Sequence, residues 1–182
     1  MPMEYEAKVK VEDLGRVEER LLSVGARIVD VVEEEDLYID LAPCIDMFSR
    51  DIALRVRMYR SVTSNKRVCE LTYKGPRISR DLKIRKEITL TIDDGYRALE
   101  IFRELGFERH VSIRKKRKIY RYGAAKIFLD DVEGLGKFVE IEVDGVDSIE
   151  RFREIIMKIL EILNLPRELI SKSYLELILE KQ

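Results

Sequence analysis

Residues 4–11 read Glu4-Tyr5-Glu6-Ala7-Lys8-Val9-Lys10-Val11, and residues 137–143 read Lys137-Phe138-Val139-Glu140-Ile141-Glu142-Val143. Successive side chains of a strand point to opposite faces. Glu4, Glu6 and Lys8 therefore share one face and Tyr5, Ala7 and Val9 the other, while Glu140 and Glu142 oppose Val139, Ile141 and Val143. The same sorting recurs along the chain. Arg55 and Arg57 alternate with Leu54 and Val56, Thr72 and Lys74 with Leu71 and Tyr73, and Lys83, Arg85 and Glu87 with Ile84 and Ile88. Lys115 and Arg117 share a parity, as do Lys126, Phe128 and Asp130. One such strand would mean only a solvated outer face. Repeated over strands predicted at Glu4–Val11, Arg27–Asp40, Ile52–Tyr59, Val68–Lys74, Lys83–Thr91, Ser112–Tyr122, Lys126–Asp131 and Lys137–Val143, it means a sheet with one apolar face and one face of Glu, Lys and Arg.

Helices fill the gaps between strands. Asp13 caps the first, with Leu14, Val17, Leu21 and Val24 on one stripe and a stop at Gly25; Asp93 or Asp94 caps the second, with Ala98, Phe102 and Leu105 as its stripe and a stop at Gly106. A longer helix begins after Asp147-Ser148, carries Phe152, Ile155, Ile156, Ile159, Leu160 and Leu163, and ends at Asn164-Leu165-Pro166; a short one runs through Tyr174, Leu175 and Ile178. A shift of 81 positions superposes Glu6 on Glu87, Asp13 on Asp94, Arg16 on Arg97, Glu19 on Glu100 and Gly25 on Gly106, the mark of a duplicated strand-helix-three-strand unit. Amphipathic helices need the apolar face, which leaves the charged face on the other side. Closing the sheet removes its exposed edges and turns the charges inward. The expected fold is α+β: a closed eight-stranded antiparallel β-barrel with helices packed outside, occupying residues 1–182 as a single domain.

Composition narrows the function. Of 182 residues 38 % are charged, yet 34 Lys and Arg nearly cancel 35 Asp and Glu, which disfavours a general nucleic-acid or anionic-membrane binder. The basic run Arg114-Lys115-Lys116-Arg117-Lys118 splits between the two faces of its strand, so a nucleic-acid partner is not expected. One histidine, His110, and two cysteines, Cys44 and Cys69, leave little material for a Ser-His-Asp triad, a histidine-rich zinc site or a disulfide scaffold. No run approaches the roughly 20 apolar residues of a membrane span, and the acidic N-terminus does not read as a leader; the expected location is cytoplasmic. Two asparagines and one glutamine among so many ions fit a thermophile.

The charged face has its own chemistry. Arg55, Arg57, Lys74, Arg85, Lys115 and Arg117 suit phosphate oxygens, and Glu4, Glu6, Glu87, Asp130, Glu140 and Glu142 are hard ligands for Mg2+ or Mn2+. Together they match a polyphosphate bridged to a divalent ion. No glycine loop of the Walker type is present.

Glu4-Tyr-Glu6-Ala-Lys8 resembles the ExExK signature of the CYTH superfamily, the triphosphate tunnel metalloenzymes that include class IV adenylyl cyclases and thiamine triphosphatases. The resemblance continues in family order through Leu37-Tyr38-Ile39-Asp40, Ala53-Leu54-Arg55-Val56-Arg57, Leu71-Thr72-Tyr73-Lys74-Gly75-Pro76, Arg85-Lys86-Glu87, Lys115-Lys116-Arg117, Leu129-Asp130-Asp131-Val132-Glu133-Gly134-Leu135-Gly136, Phe138-Val139-Glu140-Ile141-Glu142 and Ser173-Tyr174-Leu175-Glu176-Leu177. It implies a triphosphate tunnel in which Lys8, Arg55, Arg57, Lys74, Arg85, Lys115 and Arg117 hold the substrate. It also implies metal ligands at Glu4, Glu6, Glu140 and Glu142 with Asp130 assisting, and a catalytic set of Glu4, Glu6, Lys8 and Glu87. Lys172 is expected to close one tunnel mouth, as basic residues do in relatives. Arg117→Ala is expected to cost phosphate binding but not folding, because no apolar area is lost.

The Val-Glu-Gly-Leu-Gly turn, the Phe-Val-Glu-Ile-Glu strand and the Ser-Tyr-Leu-Glu-Leu tail resemble the cyclase branch. The first expectation is therefore a class IV adenylyl cyclase making cyclic AMP and pyrophosphate from ATP. The alternative is a hydrolase of tripolyphosphate, thiamine triphosphate or a nucleoside triphosphate, and the third is a polyphosphate-binding module without turnover. The expected partner is a small-molecule triphosphate, with a homodimer left open.

Overall fold

The structure is a computed structural model describing residues 3–79 and 82–181. Its elements run β1 (Met3–Val11), α1 (Leu14–Ser23), β2 (Arg27–Ile39), β3 (Ala53–Ser61), β4 (Arg67–Arg77), β5 (Lys83–Ile92), α2 (Gly95–Glu104), β6 (His110–Tyr122), β7 (Ala125–Val132), β8 (Gly136–Val143), α3 (Ile149–Leu163) and α4 (Tyr174–Leu179). The strands form a closed antiparallel barrel in the order β1-β5-β4-β3-β2-β6-β7-β8. Strand β4 continues past Lys74 through Gly75-Pro76 to Arg77, with a register shift against β5 that accommodates the proline.

The duplication is built into the register. Exchanging β1–β4 for β5–β8 maps the ring onto itself, so a pseudo-twofold axis crosses the two seams between halves, β1/β5 and β2/β6. Antiparallel pairing places Glu4 opposite Arg85 at one seam and Glu34 opposite Lys115 at the other, and both pairs are separated by the repeat offset of 81. A residue on a true twofold faces its own copy, so a charge there would face a like charge. The two copies carry opposite signs at both positions, and Lys115 Nζ lies 2.8 Å from a Glu34 carboxylate oxygen. The helix caps are also repeated. Asp13 accepts from Gly15 N at 2.8 Å and Asp94 from Tyr96 N at 2.9 Å, and both helices stop at glycines in the left-handed region, Gly25 and Gly106.

The outward apolar positions take the helices. Val17 and Leu21 of α1 join Phe152, Ile156, Ile159, Leu160 and Leu163 of α3 over Ala7 and Val9 of β1, Ile127 and Leu129 of β7 and Val139 and Ile141 of β8. Ala98 and Phe102 of α2 pack against Leu37, Ile39 and Val56. Leu105, expected on that stripe, is instead the C-cap residue just past the last helical residue and is 65 % exposed. Among the described residues no helix is long and apolar enough to cross a membrane.

A third cluster stops one end of the barrel. Tyr38, Ala53, Ile113, Val132 and Phe138, all of inward parity, surround the buried Tyr174 at the start of α4. A capping box between Ser173 and Glu176 starts this helix. Arg77 holds it in place by bonding Glu176 at 2.9 Å, Ser171 O at 3.0 Å and Asp51 at 2.8 Å.

Candidate active site

The barrel encloses a cavity of about 230 Å3 walled almost entirely by polar side chains. Its inward row on each strand is the charged parity: Glu4, Glu6 and Lys8 on β1, Glu34 and Asp36 on β2, Arg55 and Arg57 on β3, Lys74 on β4, Lys83, Arg85 and Glu87 on β5, Lys115 and Arg117 on β6, Asp130 on β7, and Glu140 and Glu142 on β8. Towards α4 the wall is sealed. At the other end Glu70, Glu87, Thr89 and Glu142 keep solvent exposure, so the cavity opens there.

Most of the buried ions pair with one another. Arg57 makes a two-pronged contact to Asp36 at 2.6 and 2.8 Å. Arg117 does the same to Asp130 at 2.6 and 2.5 Å, reaches Glu140 at 2.5 Å, and stacks 4.3 Å from the centre of the Phe128 ring. Lys115 bridges Glu34 and Asp36 at 2.8 and 2.9 Å, Lys74 bridges Glu4 and Glu87 at 3.1 and 2.6 Å, and Lys83 bonds Glu6. Burial by itself would push the Glu34 carboxyl up, but Arg57, Lys115 and Arg117 together bring it down to about 2.

Three cations are less committed. Among the described residues Lys8 Nζ, Arg55 Nε and Arg85 Nε are buried nitrogens without a protein hydrogen bond. Lys8 is 3.8 Å from Glu140 and rests 4.1 Å from the centre of the Tyr174 ring, and burial followed by repulsion from Lys83 lowers its pKa to about 7. The nearest carboxylate oxygens to Arg55 are 3.7 and 3.9 Å away, on Glu87 and Asp36; for Arg85 the distance is 3.6 Å, to Asp51. Buried donors with no acceptor are costly, and a phosphate chain offers the missing oxygens.

The carboxylates divide as well. Glu4, Glu6 and Glu142 bring one oxygen each within 4.8 Å of the others. Burial and then the charges of Glu4 and Glu6 push Glu142 up to about 7, and burial with the charge of Glu140 raises Glu6. Crowded oxygen ligands lacking enough positive charge fit a hard divalent cation. Asp130 and Glu140 do not join this group, because Arg117 takes both and the Tyr174 hydroxyl donates to Asp130 at 2.9 Å.

Other expectations shift for physical reasons. Lys172 lies outside the cavity with its ammonium 2.6 Å from Glu180; its neighbour Tyr174 is the residue that closes the barrel end. Glu34, Asp36 and Glu70 escaped the sequence reading. In Glu33-Glu34-Glu35-Asp36 the parity is hidden by four acids in a row, although the alternation resumes at Leu37-Tyr38-Ile39 and could have been extended backwards. The outward members of the basic run behave as expected: Lys116 is exposed, Arg114 pairs with Glu35, and Lys118 pairs with Glu18 of α1.

Comparison with known proteins gives the same outline. The model of the CYTH domain matches residues 2–174. A Methanocaldococcus jannaschii protein provisionally named an adenylate cyclase is 38 % identical over 178 residues, which cover 96 % of this chain and 98 % of that one. A Pyrococcus horikoshii protein of solved structure superposes with a TM-score of 0.84 at 34 % identity, covering 98 % of this chain and 99 % of its own. A Hippeastrum protein, also provisionally named an adenylyl cyclase and described as having a dominant triphosphatase activity, has a TM-score of 0.71 at 20 % identity, covering 98 % of this chain and 96 % of its own; it supports the fold alone.

The pairing has two measurable consequences. Arg117→Ala strands Asp130 in the barrel and takes the closest cation from Glu140, so contrary to the sequence-based expectation it should destabilise the fold by about 3–5 kcal/mol, while Lys116→Ala should leave stability within about 0.5 kcal/mol; urea denaturation of both checks this. Glu34, ordinarily near 4.5 and lowered here to about 2, contributes stability that is full above 4.5 and disappears as pH falls towards 2. Glu34→Gln should therefore cost on the order of 3 kcal/mol at pH 7, and the gap to wild type should close between those pH values; a gap of constant size would show that Glu34 is not held by these cations.

Proposed function

The chain belongs to the CYTH family, and from that premise we propose that it is a metal-dependent enzyme cleaving a linear triphosphate inside the barrel, with class IV adenylyl cyclase chemistry on ATP as its reaction. The observation that carries the proposal is the meeting of two incompletely matched sets at one cavity. Arg55 and Arg85 line the cavity with buried donors lacking acceptors, Lys8 is buried behind them against Tyr174 with its own donor open, and the three carboxylates of Glu4, Glu6 and Glu142 share only Lys74 and Lys83. A triphosphate with a divalent ion satisfies both at once.

Size supports the same reading. About 230 Å3 is below the ~300–1,000 Å3 of sites that engulf a drug-sized ligand, so the cavity suits a phosphate chain with its organic group at the mouth. Along β1, Lys8 lies against the Tyr174 plug and Glu4 and Glu6 lie towards the opening. The terminal phosphate would then meet Lys8 and the arginines. The phosphorus that carries the organic group would sit beside Glu4, Glu6 and Glu142. Mg2+ or Mn2+ held by these three would supply charge neutralisation at the phosphoryl oxygens and polarise them. Lys8, Arg55, Arg85 and Lys74 hold and orient the chain, and Glu87 holds Lys74 in place. That arrangement favours bond breaking at the phosphorus nearest the mouth, which is the α-phosphorus attacked by the ribose 3′-hydroxyl in a cyclase. The name of the M. jannaschii relative points the same way.

Hydrolysis of tripolyphosphate, thiamine triphosphate or a nucleoside triphosphate is the second reading. It is favoured by the almost entirely polar lining of the cavity. Binding without turnover ranks third.

Incubating the protein with ATP, tripolyphosphate or thiamine triphosphate and Mg2+ or Mn2+, then separating the products, distinguishes the readings. Cyclic AMP with pyrophosphate is the expected result; orthophosphate would replace the cyclase by the hydrolase, and full activity in EDTA would remove the metal. Glu142→Gln should raise the melting temperature in EDTA by relieving carboxylate crowding and should abolish the further rise on adding Mg2+ or Mn2+; a metal-induced rise equal to that of wild type would take Glu142 out of the cation site.

A further inference from the structure

Glu70 stands apart from the rest of the barrel lining. Almost every other inward carboxylate either meets a lysine or arginine or belongs to the Glu4, Glu6, Glu142 group, whereas Glu70 has no hydrogen bond or ion pair among the described residues. Its register partner across β3 is Arg57, but that guanidinium turns to Asp36 and Glu34. Glu70 is half-buried, lines the cavity and sits on the open side of Thr72, at the end where an organic group would emerge. Beside it is Tyr59, the next inward residue after Arg57, whose phenol is held above its ordinary range by burial and by the charge of Glu70.

A carboxylate accepts hydrogen bonds and donates none. Placed at the mouth of a phosphate-binding cavity it repels the phosphate chain, so its value lies in recognising the group attached to the chain's outer end. We propose that Glu70 is a specificity-determining residue that accepts from the amino group of a nucleobase carried by the triphosphate, with Tyr59 as the aromatic surface beside the base. Adenine and cytosine offer an exocyclic amino donor; uracil presents a carbonyl oxygen at the equivalent position. That oxygen would face the carboxylate and be repelled. This inference rests on the reading of the barrel as a triphosphate site and adds the residue that selects the organic group at its mouth.

The test measures binding by isothermal titration in Mg2+ for ATP, UTP and inorganic tripolyphosphate, with wild type and Glu70→Gln. Wild type should bind ATP at least about tenfold more tightly than UTP, as expected for a hydrogen bond to a charged group. In Glu70→Gln that ratio should fall towards one, since an amide can donate to uracil as well as accept from adenine, while tripolyphosphate binds as tightly as before or more tightly. An unchanged ATP-to-UTP ratio would overturn the inference. So would a parallel loss for ATP and tripolyphosphate, which would assign Glu70 to the phosphates or their metal. Failure of wild type to bind any of the three would instead overturn the triphosphate reading, and this inference with it. Glu70→Gln removes no ion pair, and a melting curve equal to that of wild type establishes that it is folded.

Discussion

Ions shut inside a closed barrel have to be matched, and the rest of the structure depends on how they are. An unpaired charge in a low-dielectric interior costs several kcal/mol, so the inward rows are arranged as Arg57 with Asp36, Arg117 with Asp130 and Glu140, Lys115 with Glu34, and Lys74 with Glu4 and Glu87. These pairs also act as a register lock. A one-residue slip of any strand would turn its charges out into the apolar shell and its valines and isoleucines into the cavity. The opposite signs at the two seam positions, Glu4 with Arg85 and Glu34 with Lys115, are the same requirement met at the pseudo-twofold axis.

Matching is incomplete in a patterned way. The unsatisfied donors lie on β1, β3 and β5, and the crowded carboxylates lie on β1 and β8, so both kinds face one cavity from neighbouring walls. The carboxylates are only partly paired: Glu4 reaches Lys74 and Glu6 reaches Lys83, while Glu142 has no ion pair among the described residues. On the proposed reading, leaving these groups open would cost free energy in the empty barrel and return it when an anion and a cation enter together, which is the physical content of a preorganised site.

The two halves of the duplication have diverged outside the barrel as well. Ile88 and Leu90 correspond through the repeat to Ala7 and Val9. The first pair is 46 % and 59 % exposed, whereas the second is 2 % and 1 % exposed beneath α3. Only the β8–β1 side received the long C-terminal helix. The chain beyond it then returns to insert Tyr174 into the barrel end, where its ring contacts Lys8 and its hydroxyl meets Asp130.

Alternation along β1, β3, β4, β5, β6 and β8 determined the barrel, because period-two sorting of apolar and charged residues is local and needs no knowledge of the partner strand. The repeat of Asp13 and Gly25 in Asp94 and Gly106 determined the duplication, and with it the strand-helix-three-strand order. Which inward residues are free was decided only by the tertiary structure. Arg55 and Arg117 look alike on their strands, yet Arg117 is fixed between Asp130 and Glu140 while Arg55 keeps an open Nε. Glu140 and Glu142 are two residues apart on the same face, yet one pairs with Arg117 and the other joins Glu4 and Glu6. Parity states which face a side chain takes. The shear and closure of the barrel decide which residue stands across from it, and that distance separates a closed ion pair from a side chain left open to the cavity.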